Sequence, residues 1–344
     1  MRKVFIERLP GIPLIPLLYP NLGREVRDAI LFLNEAFNDL TEPLVEIVDD
    51  PVAADDLLIP HNYSAVRENH EYIRRFAELS VCHDKRVIVF AHGDGTEEVP
   101  LPHSIVFRTS QYKSELRKNE IMMPAYTEDL LKNAPVEIRR KGELPVVGFC
   151  GWAGYKNFRN RLGTIVQSLA MDTMTAFTGS QRYQPRKKGL SLRIKAIALL
   201  RKSSLIRTNF LIRGSYSGHR DTIRIDPVQG RREYIDNIRS SDLVLAIRGD
   251  GNYSLRFYEA LSMGCVPLLL DTDCVLPLED IIDYSSFIVR VSMKDFLGID
   301  RVAADFWKGL TDEKFADMQK KARETFVRYL SVKAFLTYAT EKLL

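Results

Sequence analysis

Leu245-Ala-Ile-Arg-Gly-Asp-Gly-Asn-Tyr-Ser254, continued by Leu255-Arg-Phe-Tyr-Glu-Ala-Leu-Ser-Met-Gly264 and Cys265-Val-Pro-Leu-Leu-Leu270, decides how the rest of the chain is read. A strand-like run from Asp242 to Ile247, apolar after its first residue, gives way to a polar loop. Leu255 to Met263 has helical spacing and stops at Gly264, and Val266 to Leu270 is continuously apolar. A glycine just past the last periodic residue commonly ends a helix, and an unbroken apolar run suits a strand covered on both faces. Strand, loop, helix and strand in that order predict a parallel α/β layer.

The alternation extends upstream. Strand Val146 to Cys150, a helix from about Asn160 to Leu169, a basic helical stretch, strand Asn209 to Arg213 and helix Gly230 to Ile238 precede the quoted segment. The first half repeats the pattern, with strand Lys3 to Ile6, helix Val26 to Leu40, strand Leu57 to Ile59, helix Asn69 to Leu79, strand Val87 to Ala91 and a further run, Ser104 to Arg108. A charged stretch from Asn133 to Glu143, with Pro135 and Gly142, separates the two series. The expected organisation is two Rossmann-like domains, 1–140 and 141–305, and closing helices (306–344) that pack back across both. A chain of 344 residues is long enough for two such domains. Facing parallel sheets place ligands beyond the carboxyl ends of their strands.

Hydrophobic residues at 45% and charged residues at 27% exclude disorder as the main state. A net charge of +4 argues against nucleic acid as a partner. Cys82, Cys150, Cys265 and Cys274 have neither paired spacing nor disulfide-scaffold density, which predicts reduced thiols and no structural zinc. No apolar run reaches 18 residues, and Glu7 and the prolines after it interrupt any signal-type stretch. A cytoplasmic location is the expectation, at the inner face of a membrane if the basic stretch binds lipid.

The polar loop has the makings of a phosphate site. Ser254 can cap the following helix, whose first N–H groups then face the loop, and Gly249 and Gly251 permit close backbone approach. Arg248 and Arg256 bring planar guanidinium forks that match paired phosphate oxygens. Glu259 can accept hydrogen bonds from vicinal ribose hydroxyls. The plainer alternative is a surface ion pair between Arg256 and Glu259, at i and i+3. Spacing alone leaves both readings open.

The order Ile247-Arg-Gly-Asp-Gly251, Ser254-Leu-Arg256, Glu259-Ala260, Met263-Gly-Cys-Val-Pro267 and Leu276-Pro277 resembles the exostosin-like glycosyltransferases of family 47. Val4-Phe-Ile-Glu-Arg-Leu-Pro10, His92-Gly-Asp-Gly95 and Phe149-Cys-Gly-Trp152 with Arg159 resemble other parts of that family, while Thr173 to Arg207 is the weakest match. The resemblance implies a GT-B fold, two Rossmann-like parallel-sheet domains facing across a cleft, and an inverting, metal-independent transfer from a nucleotide sugar, with a uridine diphosphate sugar first among donors. It makes 1–140 the acceptor-side domain and 141–305 the nucleotide-sugar-binding one, and places Arg159 with the donor site. Asp271-Thr-Asp273, the one Asp-x-Asp, is read as a turn. No metal or other cofactor is expected.

Inverting transfer needs a base near the acceptor hydroxyl. Asp94, His92 and His61 follow first-half strands and are the candidates, Asp94 first; a turn at Asp94 and a backbone-bonded loop histidine at His61 are the alternatives. Between Asp172 and Asp221 lie eleven Lys or Arg and no acidic residue. Leu190, Ile194, Ile197, Ala198 and Leu205 can give this segment an apolar side, so 182–207 is a candidate for contact with an anionic membrane surface or a lipid-linked saccharide. The alternatives are a solvated helix packed on its own domain and a patch for an anionic glycan. The reading is a glycosyltransferase acting on a glycan or lipid-linked acceptor in surface polysaccharide synthesis. Its rivals are a GT-B enzyme using another activated sugar and a non-catalytic glycan-binding protein.

Overall fold

The computed structural model describes residues 1–24, 30–132, 134–155, 158–178 and 181–344. Within these residues the first lobe carries strands β1 (Arg2–Ile6), β2 (Val45–Val48), β3 (Asp56–Asn62), β4 (Val87–Ala91), β5 (Ser104–Arg108) and β6 (Glu120–Met122). All pair in parallel in the order β2-β1-β3-β4-β5-β6. Its helices are α1 (Tyr19–Leu22), α2 (Tyr63–Val66) and α3 (His70–His83). Val87 to Phe90 are fully buried, as expected of a central parallel strand sandwiched between layers. The Asn69 side chain caps α3 by accepting from the Tyr72 N–H at 3.1 Å.

The second lobe has β7 (Val146–Trp152), β8 (Arg207–Arg213), β9 (Leu243–Ala246), β10 (Val266–Asp271) and β11 (Val289–Ser292), again all parallel, in the order β11-β10-β9-β7-β8. Helices α4 (Phe158–Thr178), α5 (Gly189–Lys202), α6 (Pro227–Arg239) and α7 (Leu255–Ser262) connect them. This is the α/β plan of two parallel-sheet domains that the sequence predicts. Gly264 ends α7 with φ +66, and a Cβ there would lie 2.7 Å from Val136 and 3.0 Å from the Gln319 carbonyl. Both the left-handed turn and the packing therefore demand glycine.

The chain closes with α8 (Ile299–Lys308), α9 (Asp312–Thr325) and α10 (Val332–Tyr338). From α9, Arg323 holds Asp129 and the Ser262 carbonyl, while Gln319 bonds the backbone of Arg139. Phe335 of α10 packs edge-on against Phe107 of β5.

Three elements differ from expectation. The helix Val26 to Leu40 is not formed over its described part: Ile30 makes a bridge with His219, Phe32 takes φ 67, and only Leu33–Phe37 turns, as a 3₁₀ helix. Residues 25–29 of that prediction lie outside the described residues. The helix expected to end near Leu169 runs on to Thr178. In α5 the buried arc is Leu192, Ala196, Ile197 and Leu200, whereas Ala198 is exposed, so its apolar face covers its own lobe and is not offered outward.

Candidate functional site

The loop between β9 and α7 meets the first lobe directly. Asn252 donates its backbone N–H to Ser110 Oγ at 2.9 Å and its side-chain amide to the carbonyls of Gln111 (3.1 Å) and Thr272 (3.0 Å), while Thr272 Oγ1 donates back to Asn252 Oδ1 at 2.6 Å. Ser110 Oγ in turn reaches the Asp94 carbonyl at 3.1 Å. Asp94 therefore stands against the loop: a Cβ on Gly251 would lie 2.5 Å from Asp94 Oδ1 and 2.9 Å from its Cα. Gly251 is what lets the two lobes approach here. Asp94 itself is exposed. Burial, with the Asp94 charge beside it, pushes the Tyr253 hydroxyl well above its usual range.

Arg248, assigned to phosphate from the sequence, is buried with its donors committed within the protein. Its Nη1 donates to the Tyr112 hydroxyl (2.5 Å) and the Pro185 carbonyl (3.2 Å), and its Nη2 to the Asp250 carbonyl (2.6 Å). It braces the loop and the lobe contact. The space beside it, lined by Asn252, Ser254, Phe257 and Leu276, holds only about 10 Å³. Ser254 occupies the cap position of α7 in extended backbone, yet its hydroxyl makes no capping bond; the carbonyl of Ser254 accepts from Phe257 instead.

Arg256 differs. Its guanidinium lies 4.1 Å from the Phe149 ring and donates from Nη2 to the Cys150 carbonyl at 2.8 Å, just where β7 ends. Gly151, with φ +148, makes room for it, since a Cβ there would come within 2.7 Å of Nη2. The other guanidinium at this edge of the sheet, at the end of the neighbouring strand β9, is Arg193 of α5, a residue the sequence places only in the basic stretch. Arg193 donates to the Ile247 carbonyl at 3.3 Å. Burial and the nearby positive charge of Arg256 pull its pKa down to about 10. The Nε atoms of both Arg193 and Arg256 are buried without a hydrogen-bond partner. Gly249 sits against this pair, its Cβ position 3.6 Å from Arg193 Nη2.

Glu259 does not form the surface pair with Arg256. It accepts from the hydroxyl of the partly buried Tyr234 and lies 3.4 Å from Arg231 Nη1, while Arg231 also engages Glu128. Arg159 is exposed in the first turn of α4, and among the described residues no hydrogen bond or ion pair ties it to this cluster.

Of the base candidates, His61 is corrected. It has no exposed surface, its Nε2 accepts from the Leu9 N–H at 2.8 Å, and its Nδ1 is 3.0 Å from the Pro13 carbonyl. β3 runs on through this residue to Asn62, so His61 is a neutral core histidine holding two backbone groups. His92 is stacked on Tyr126, with centroids 4.1 Å apart. His92 and Asp94 border a hollow of about 230 Å³, which Tyr63, Arg67, Glu97 and Arg108 also line. Asp271 pairs with Arg290, and Asp273, with φ 58, accepts from Ser114 Oγ at 2.6 Å, so both carboxylates serve a turn at the lobe contact.

Fold and site together define a two-lobed parallel α/β protein with a basic cluster at one sheet's carboxyl end and a carboxylate facing it. Residues 172–305 match the Exostosin GT47 domain, and the second lobe is exostosin-like. The match takes in the whole of Thr173 to Arg207, the stretch expected to be weakest, and the first-half resemblances lie outside it. The Exostosin-1 homolog of Caenorhabditis elegans is 29% identical over 100 residues, 29% of this chain and 25% of that protein. A probable glycosyltransferase of Arabidopsis thaliana is 33% identical over 73 residues, 21% of this chain and 16% of that protein. The similarity thus spans a quarter or less of each relative. Among solved structures, TarM overlays with a TM-score of 0.35 at 11% identity, over 81% of this chain and 53% of that one. The spinosyn rhamnosyltransferase SpnG complexed with thymidine diphosphate overlays over both whole chains with a TM-score of 0.34 at 12% identity. Overlays this loose place no residue of the present chain.

Proposed function

We propose that the protein is an inverting, metal-independent glycosyltransferase that moves a sugar from a nucleoside diphosphate, uridine diphosphate first, to a glycan or lipid-linked acceptor in surface polysaccharide synthesis. The observation that carries this reading is the pair Arg193 and Arg256, two like charges at the carboxyl end of the second sheet, each with an orphaned Nε. A buried donor without a partner costs about 1–3 kcal/mol, and an anion with paired oxygens removes that cost for both. The entrance of α7 adds N–H groups of the same polarity. Glu259 beside them, held by Tyr234 and Arg231, supplies a fixed acceptor for ribose hydroxyls.

In this reading the acceptor hydroxyl enters through the hollow beside His92 and Arg108 and attacks the anomeric carbon on the face away from the diphosphate. The new C–O bond forms as the bond to the diphosphate breaks, Asp94 takes the hydroxyl proton, and the charge left on the diphosphate meets Arg193 and Arg256. One displacement inverts the anomeric centre.

Calorimetry with uridine diphosphate tests the donor half. Arg193→Ala and Arg256→Ala are each expected to weaken binding by about 1.5–3 kcal/mol, the range for a hydrogen bond to a charged group. Asp94→Asn is expected to abolish transfer while leaving donor affinity within about twofold, as befits a group acting only in the chemical step. Unchanged binding in both arginine variants overturns the donor site. Retained turnover in Asp94→Asn moves the proton to another group of the hollow, His92 first.

A further inference from the structure

Helix α4 is amphipathic in the reversed sense. Its inner side is polar: Thr164 is buried, Gln167 donates to the Arg186 carbonyl at 2.9 Å and accepts from the Lys188 N–H, and Thr175 Oγ1 accepts from Gln184. Its outer side is apolar. Phe158 (75% exposed), Leu162, Ile165, Val166, Leu169 and Phe177 (88%) all stand in solvent. At 100° per residue they fall within an arc of about 120°, a single stripe along a helix about 31 Å long. A helix on a water-soluble domain normally turns that stripe inward. The exposed Arg159 and Arg161 project on opposite sides of it.

The charge around the stripe selects its partner. Of the thirteen Lys or Arg between residues 158 and 220, Arg193 belongs to the arginine pair above and Arg186, Lys187 and Arg213 are paired with Glu115, Asp172 and Glu233, but eight are exposed, Arg159 and Arg161 beside the stripe among them, and Asp172 is the one acidic residue of the segment. A second copy of the chain docking through the same face would set two such positive surfaces against each other. A bilayer with anionic headgroups satisfies stripe and charge at once. No described helix is long and apolar enough to cross a membrane, so α4 would lie in the interface, its stripe among the upper acyl chains. We infer that α4, and not the basic helix α5 singled out by sequence, is the element that docks this protein on an anionic membrane surface. This holds or fails independently of the transfer reading.

Flotation of the purified chain with vesicles tests it, using phosphatidylcholine alone or mixed with phosphatidylglycerol. Binding is expected on the mixed vesicles only and to fall with added salt. The triple variant Leu162→Ser, Val166→Ser, Leu169→Ser, all at exposed positions, is expected to lose binding while keeping the wild-type affinity for uridine diphosphate. Arg159→Glu and Arg161→Glu are each expected to weaken binding at least about fivefold. A Phe177→Trp variant reports insertion as quenching by brominated acyl chains beyond that of the wild type, whose emission comes from Trp152 and Trp307. Absence of flotation, equal flotation of the triple variant, or an unquenched Trp at 177 overturns the inference. So does a wild-type dimer that the triple variant dissociates, which would give the stripe to a second copy.

Discussion

At the scale of single residues, local spacing and spatial partnership diverge most sharply at the arginines. Arg248 and Arg256 look equivalent in the sequence, one on each side of a glycine loop. In the folded chain, carbonyls and Tyr112 saturate Arg248, while Arg256 and Arg193 stand at the ends of the neighbouring strands β7 and β9. Arg193 had a signal of its own: it falls within the arc of Leu192, Ala196, Ile197 and Leu200, a charge on the buried side of a helix. The sequence alone could not say which arc of α5 is buried, because apolar residues surround it on several sides. His61 was misplaced for a simpler reason, since the strand before it is longer than its apolar run. The cysteines give a direct check on burial. Cys82 is exposed, whereas burial raises the thiols of Cys150, Cys265 and Cys274, the last two to about 12. Iodoacetamide at about pH 8 is expected to modify Cys82 alone in the native protein and all four thiols in denaturant, read by mass spectrometry. The sign of the linkage follows. Because the unfolded chain ionises its thiols near pH 8.5 and the folded one far higher, these buried groups favour the fold below about pH 8.5 and that contribution is lost progressively above it.

At the scale of elements, the strands that were legible are those whose side chains are apolar on both faces. β4 and β5 have the predicted bounds, Val87–Ala91 and Ser104–Arg108. The strands that went unread, β2, β6 and β11, are short edge strands, Val-Glu-Ile-Val, Glu-Ile-Met and Val-Arg-Val-Ser, in which a charged residue interrupts the apolar pattern. A helical spacing also misleads where the backbone refuses it, as at Phe32 with its left-handed φ. One close approach between elements binds the donor loop to its support. At the start of α5, a Cβ on Gly189 would lie 2.3 Å from the carbonyl oxygens of both Arg248 and Gly249. Neither oxygen belongs to a side chain that can swing away, so relief requires moving the loop or the helix that carries Arg193. Gly189→Ala is expected to cost about 1–3 kcal/mol of stability, as overpacking does, and to weaken uridine diphosphate binding as well. A variant with unchanged melting temperature and affinity would show that the loop and α5 are not held in this register.

At the scale of the whole molecule, the lobes are joined on one side by α9 and α10 and on the other by the loop contact around Asn252. The first junction is apolar and broad, with Phe335 against Phe107 in a core continuous between the lobes. The second is narrow and polar, and it sits at the candidate site, with Asp94 and Gly251 pressed together. Ligands of two-lobed parallel α/β proteins enter at such a place, so the polar contact is the part of the lobe interface that has to yield. Asn252 concentrates that contact: its side chain satisfies Gln111 and Thr272 carbonyls and the Thr272 hydroxyl, all buried. Asn252→Ala leaves those groups without their partner, at a cost of about 1–3 kcal/mol, but spares the backbone bond to Ser110. The cost falls on the closed arrangement alone if each lobe folds around its own sheet. Amide exchange read by mass spectrometry is then expected to quicken at 110–114 and 250–253 while the strands of both sheets keep their protection. Uniform loss of protection across both sheets would instead make Asn252 a support of the entire fold, and unchanged exchange at both loops would remove it from the contact that governs closure.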